Sequence, residues 1–391
     1  MRNRIQHLRR DERGMTMAFV AMGFMAFLTA TTLAIDVGMF MSARSQAQNA
    51  ADSGALAGAI ALGFNDFDNR TPTGPAVSAA ISAAQSNVMI GSAPSVLPGD
   101  VTFPTNPAGL PTRVKVAVYR NETRSNAIPT IFGRVFGVPT VSISASATAE
   151  ASQANTMTCV KPFMIPDKWT EASGPFNPLT SSFRMFDNHN NPLPPGQADV
   201  YVAANQPGYT GYTDDDRGTE LILRAGTGSN IEPTAYQSWN MPGNNGLIGG
   251  EWYRSNISGC NTTKITINLN SPLYLTQEPG NMVGPTGQGV DELIAQDPLA
   301  RWDTGCRCVR GSRFPISPRV TPLPLYDPKK YAEGKANGRN ADFWLANIMG
   351  FFIDHRSGNQ VYGFITPISG TINPNVPAPA GAFPVAIRLV E

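Results

Sequence analysis

The sequence predicts an α+β protein: a long amino-terminal transmembrane helix, then a small α+β domain, then an irregular, mainly β domain. Three observations support this fold class. Residues 14–35 contain no charged side chain. Residues 113–120 and 140–152 alternate apolar and polar side chains with the period of a strand. From residue 156 onward, Pro, Gly, Asn and Asp are frequent and separate short strand-like runs, which is typical of an irregular β domain.

Length and composition restrict the functional class. The chain has 391 residues, enough for two or three domains. Charged side chains make up 15% of it, which argues against a solvated, disordered polymer. The formal net charge is +1, so nothing indicates binding to nucleic acid.

The uncharged run predicts a membrane anchor that is not cleaved. At the standard rise it forms roughly 33 Å of helix, enough to cross a bilayer. A secretory signal has a shorter apolar region and ends in small residues, whereas this run ends in Ile35 and Asp36. Five arginines within residues 1–13 place the amino terminus in the cytoplasm and the bulk of the chain outside it. A buried helix of a soluble protein is the alternative.

Helical composition continues beyond Asp36, because no proline occurs before Pro72. A helix from about Met15 to Leu62 would be roughly 70 Å long. Its second half is rich in small residues, which let another element approach closely. Two interpretations remain open: this face packs on the chain's own domain, or it is presented to partner subunits and forms an oligomer.

A specific motif lies on this helix. An Arg-Gly pair opens the apolar run, "DVG" closes it, and "AADSGALAGA" follows an arginine and two glutamines. The motif residues that we single out are Gly14, Asp36, Gly38, Arg44, Gln48, Ala51, Asp52, Ala55, Leu56 and Ala57. Residues 13–62 thereby resemble the amino-terminal segment of the TadG-like proteins of the tight-adherence (Flp) pilus system. The likeness extends more weakly to about residue 152.

The resemblance implies a structural component of pilus assembly. It would be a single-pass protein of the inner membrane with its bulk in the periplasm, and other pilus-assembly proteins would be its partners. Related pseudopilins are cut by a peptidase that requires glutamate at the fifth position after a glycine. Phe19 occupies that position after Gly14, so we predict no such cleavage. Asp36 would mark the membrane boundary, or pair with a basic group of a neighbouring subunit.

We expect four regions along the chain. These are a basic cytoplasmic tail (1–13), the anchor and extended helix (14–63), a small α+β domain of pilin-like arrangement (70–152) and a Gly/Pro-rich exported domain (156–391). In the small domain, helices are expected at 76–91 and 127–137, and strands at 100–103, 113–120 and 140–152. In the last region, strands are expected at 199–204, 219–226, 264–269, 360–369 and 384–390, a helix at 289–298, and a helix or buried strand at 341–354.

The four cysteines, Cys159, Cys260, Cys306 and Cys308, all follow the anchor, on the oxidising side of the membrane, and predict two disulfides. A bridge between Cys306 and Cys308 would close a very small ring. We therefore expect each of these two to pair with Cys159 or Cys260.

No catalytic, cofactor-binding or metal-ligating residue is predicted. The sequence has no G-x-S-x-G, H-E-x-x-H or G-x-x-x-x-G-K-[ST] string, and its three histidines are scattered. We expect a membrane-anchored protein that acts by contact and is not an enzyme. The alternatives are a pilin-like filament subunit, and an exported carbohydrate-binding or enzymatic module on a signal anchor.

Overall fold

The computed structural model describes residues 12–65, 69–107, 109–204, 206–226, 230–243, 249–314, 316–337, 343–379 and 381–390. The basic tail expected at 1–13 lies almost entirely outside these residues. The chain divides into two compact units. Unit 1 contains Met1–Leu62, Asp68–Glu150 and Leu389–Glu391, and unit 2 contains Gly63–Phe67 and Ala151–Arg388.

Unit 1 is built on one long helix. Its elements are α1 (Glu12–Phe64), α2 (Pro75–Ser86), β1 (Val101–Thr102), β2 (Arg113–Arg120), β3 (Ile128–Pro129), β4 (Thr140–Val141) and β5 (Ile143–Gln153), of which α1 and β5 run on into unit 2. Strand β2 pairs antiparallel with β1 and with β5, and β3 pairs with β4. The predicted long helix and the strand at 113–120 are confirmed.

The apolar half of α1 has the properties of a membrane-crossing helix. Among the described residues, α1 is the one helix long and apolar enough to cross a membrane, with a mean hydropathy of 1.9 in its best window. Nearly every side chain from residue 15 to 35 is exposed. The hydroxyls of Thr29, Thr31 and Thr32 donate to carbonyls three or four residues earlier, so these three hydroxyls are satisfied within the helix and suit a lipid environment.

The helix predicted at 127–137 is wrong. The structure has β3 there, followed by a loop with a 3₁₀ turn at Gly133–Phe136. The N–H groups that would begin such a helix donate instead to a side chain of α1, as described below. Gly137 ends the turn in the left-handed region, with a φ of 81°.

Unit 2 contains a closed barrel of six strands. Unit 2 as a whole has these strands, of which six form the barrel: β6 (Thr156–Met157), β7 (Phe163–Pro166), β8 (Glu220–Ala225), β9 (Ala235–Ser238), β10 (Ile265–Thr266), β11 (Arg301–Asp303), β12 (Cys308–Arg310), β13 (Val320–Tyr326), β14 (Leu345–Ser357), β15 (Gln360–Thr366) and β16 (Val385–Leu389, ending in unit 1). The order around the barrel is β13-β14-β15-β8-β9-β7. The helices are α3 (Gly250–Ser258), α4 (Val283–Gln296) and α5 (Pro328–Ala336).

Strand β13 escapes sequence-based prediction because it contains Pro322 and Pro324, and proline is unusual within a sheet. The Pro322 carbonyl accepts from the N–H of Lys161, just before β7. Both prolines therefore direct their missing N–H groups toward β7, and the ladder to β14 keeps its register from Val320 to Leu325, before a shift between Leu325 and Tyr326.

For unit 2, the strand expected at 199–204 is wrong, and the choice between helix and buried strand at 341–354 is resolved. Residues 199–204 form no strand, and one bridge, from Thr170 to Val200, is all the pairing they make within the described residues. Residues 345–357 form β14, which decides between the helix and the buried strand for that region. The first apolar side chains of β14 belong to one buried cluster and most of those from Met349 onward to a second, and the strand is buried on both faces from Leu345 to Ile353.

Candidate functional site: the motif segment of helix α1

One face of α1 beyond Asp36 consists of small residues that are buried within unit 1. Those with no exposed surface are Ala43, Ala47, Ala50, Ala51, Ala55 and Ala59. Their spacing of three and four places them on one face of α1. Of the two open interpretations for this face, the structure supports packing on the chain's own domain.

Two glycines set the distance between α1 and α2. A Cβ added at Gly54 would lie 3.0 Å from the carbonyl oxygen of Ala80 and 3.0 Å from the Cβ of Ala84. One added at Gly58 would lie 2.8 Å from a methyl group of Val114 on β2. No side chain fits at either position without displacing α2 or the sheet, so the motif requires glycine there.

Asp36 is an internal hydrogen-bond acceptor. Its carboxylate accepts the N–H of Ile131 at 2.9 Å, of Phe132 at 3.1 Å and of Gly133 at 2.7 Å. The side chain is 5% exposed. Three successive N–H groups around one carboxylate form an anion-binding nest, and hydrogen bonds to a charged acceptor are stronger than neutral ones. Asp36 thus fixes residues 131–133 beside the end of the apolar run.

The nest is a contact that neither role expected for Asp36 included, since backbone donors of its own chain surround the carboxylate. Its position at the membrane boundary and its pairing with a neighbouring subunit stay predictions. The sequence did not indicate residues 131–133 because they follow Asp36 by about 95 positions. Their donors are backbone N–H groups, so no particular side chain marks them.

Six other motif residues are not buried. Gly38, Arg44 and Gln48 are exposed, and Asp52, Leu56 and Ala57 are partly exposed. Gln48 Nε2 donates to Asp52 Oδ1 at 2.8 Å. A Cβ added at Gly38 would meet no atom within 4 Å. Gly14 lies in the first turn of α1. The motif therefore has a buried part, which builds unit 1, and a part that is exposed or partly exposed. Within the second part, Gln48 Nε2 also donates to the Ser146 carbonyl of β5 at 3.5 Å.

Comparison with known families assigns this segment. Residues 14–61 match the Flp pilus-assembly TadE/G-like family. The chain carries a TadE/G-like domain at its amino end. The match covers about an eighth of the chain and coincides with α1. Searches of curated proteins and of solved structures found no match.

Beyond the TadE/G-like domain, the cysteines pair differently from our expectation. Cys159 is bonded to Cys260, and Cys306 to Cys308. Arg307, between the last two, adopts a φ of 49° in the turn that joins β11 to β12. This left-handed residue places the two Cα atoms 5.2 Å apart, a distance that a disulfide spans. The small ring is possible because the turn supplies a backbone conformation that composition did not reveal.

Two buried titratable groups of unit 2 with shifted pKa values, Asp167 and Lys161, have structural partners. Burial raises the pKa of Asp167 to about 6, and the hydroxyls of Tyr201 and Tyr209 donate to it at 3.0 and 3.1 Å. Burial lowers the pKa of Lys161 to about 7. The Lys161 ammonium donates to the carbonyls of Ile257 and Gly259, at the carboxyl end of α3. Within the described ranges, no three His, Cys, Asp or Glu side chains are grouped so as to hold a metal ion.

Unit 2 also has an open cleft of about 880 Å³. Tyr274 and Trp344 line it with their rings 5.2 Å apart, and the amides of Asn240, Asn268 and Asn373 lie in the same wall. Aromatic faces beside amide groups can bind a ligand that has both apolar and hydroxyl surfaces.

Proposed function

We propose that the protein is a single-pass membrane component of an Flp pilus-assembly apparatus, and that it acts by protein contact without catalysing a reaction. The observation that carries the proposal is the TadE/G-like match at residues 14–61, on a helix that continues unbroken from the apolar run into a folded unit. The arginines that precede the apolar run support a cytoplasmic amino terminus and a periplasmic bulk.

Partner proteins would contact the exposed part of the motif. The small-residue face is already occupied by unit 1, so it has no surface left for another subunit. Met41 is 71% exposed, and Arg44 and Gln48, three and seven residues further along the same face of the helix, are exposed as well. This exposed strip combines apolar contact area with a guanidinium and an amide, which is the composition of a protein interface.

Site-specific crosslinking in cells tests this assignment. A photoreactive amino acid at Arg44 should capture other pilus-assembly proteins, because Arg44 lies on the exposed strip of the TadE/G-like domain. The same group at Leu97, 51% exposed elsewhere in unit 1, is the matched control and should capture none. Capture of lipid and of the protein itself alone, or equal capture from both positions, would contradict the proposal. Recovery of the chain in sheared pili would favour a filament subunit instead.

The cleft of unit 2 favours carbohydrate binding as a second candidate function. Tyr274 is 42% exposed within this cleft, and sugars pack on exposed aromatic surface. We expect bacterial surface oligosaccharides to change the tryptophan fluorescence of the full chain, and Trp344→Ala to abolish that change. Trp302→Phe is the control, because Trp302 stacks on Phe364 and does not line the cleft. An unchanged signal across a panel of such sugars would remove this candidate.

A further inference from the structure

The loop that Asp36 holds has an unusual surface. Residues 131–138 read "IFGRVFGV" and are here called the apolar loop. The exposed fractions are 56% for Ile131, 81% for Val135, 64% for Phe136 and 49% for Val138. Four large apolar side chains on eight consecutive residues form a concentrated exposed patch, and such patches mark interaction sites.

The position of the apolar loop follows from its bonds to α1. Asp36 follows directly after the uncharged run of residues 14–35. Its carboxylate holds the N–H groups of Ile131 and Gly133 at 2.9 and 2.7 Å. If α1 crosses a bilayer with that run, the loop must lie at the membrane surface, because it is bonded to the residue where the run ends.

The backbone of the apolar loop is suited to a medium poor in water. Asp36 satisfies the first three N–H groups of the loop. The N–H groups of Val135, Gly137 and Val138 donate to carbonyls of Phe132, Arg134 and Gly133 within the loop. The hydroxyl of Thr130 closes the loop by donating to the Val138 carbonyl at 2.7 Å. These hydrogen bonds lower the free-energy cost of moving the backbone of the apolar loop out of water.

We propose that the apolar loop inserts Val135, Phe136 and their apolar neighbours into the bilayer interface beside α1. Arg134 is exposed between these side chains and would extend to the phosphate groups of the lipids. The membrane is the occupant that the structure favours over a protein, since Asp36 attaches the patch to the end of the membrane-crossing run. The inference rests on the proposed membrane anchoring but not on the role in pilus assembly.

Fluorescence quenching by brominated lipids tests the proposal on the full chain in phospholipid vesicles. The native tryptophans all follow residue 151, so a tryptophan in unit 1 gives a difference signal over the unmodified protein. We expect the emission of Phe136→Trp to be shifted to shorter wavelength and quenched by lipids brominated near the headgroup. Leu110→Trp is the control. Leu110 is 50% exposed and lies four residues before Val114, which packs at Gly58, far along α1 from Asp36.

Each outcome decides the question. Quenching at position 136 and not at 110 supports insertion of the loop. Equal accessibility of both positions to aqueous iodide overturns it. Protection from iodide at 136 without quenching by brominated lipid assigns the patch to a protein contact, and also overturns it. Flotation of the vesicles with the protein is measured in the same samples, so that a failure of anchoring is distinguished from a failure of insertion.

Discussion

Replacing Cys159 and Cys260 together by serine should lower the free energy of unfolding of unit 2 by about 4 to 5 kcal/mol. The bridge joins positions 101 residues apart, and closing so long a loop removes much entropy from the unfolded chain. The disulfide also lies between two segments that hydrogen bonds hold together. Cys159 donates its N–H to the Asn261 carbonyl, and Lys161 donates to the Gly259 carbonyl on the other side of Cys260.

The second disulfide provides the matched control. Serine at Cys306 and Cys308 should cost only about 1 to 2 kcal/mol, since those residues are two positions apart and the loop is short. Urea denaturation of the detergent-solubilised chain, followed by tryptophan fluorescence, reports unit 2 because all five tryptophans lie there. Equal losses for both double variants would show that loop length does not govern the effect.

Leucine at both Gly54 and Gly58 should destabilise unit 1 by about 3 to 5 kcal/mol, since overpacking costs about 1 to 3 kcal/mol for each site in a well-packed core. The inserted side chains would meet the backbone of α2 and the sheet at 3.0 Å or less. Hydrogen exchange of the α2 amides measures the effect, and we expect their protection to be largely lost. Membrane association of the chain should persist, because the apolar half of α1 is unchanged.

Gly38→Leu is the control for the same substitution on the same helix. No atom lies within 4 Å of a Cβ placed there, so the exchange rates of α2 should stay the same. Helix propensity favours leucine over glycine by up to about 1 kcal/mol, so this substitution should not destabilise α1. If the α2 amides exchanged as slowly in the double variant at Gly54 and Gly58 as in Gly38→Leu, the packing of α1 on α2 would be refuted.

These predictions separate two uses of the TadE/G-like domain. Gly54 and Gly58 pack against α2 and β2, whereas Met41 and Arg44 are exposed. A variant of the first kind should lose the fold and every contact that depends on it. A variant of the second kind should keep the fold and lose its partner proteins. Hydrogen exchange and crosslinking on the same variants therefore distinguish a structural motif residue from a contact residue.

The sequence by itself determined the features that depend on local pattern. The absence of charge from 14 to 35 and of proline before Pro72 specified a helix of membrane-crossing length that continues beyond the apolar run. Alternation of apolar and polar side chains specified β2. The family assignment also followed from a contiguous string, because all its residues lie within one helix.

Only the tertiary structure decided the features that depend on distant residues. It brought the N–H groups of Ile131 and Gly133 to Asp36, paired Cys159 with Cys260, and covered the small-residue face of α1 with α2 and β2. Periodicity records which side chains share a face, but not which element covers that face. Backbone donors and left-handed residues such as Arg307 leave no distinct signal in composition. Their positions are set by packing between segments far apart in the chain.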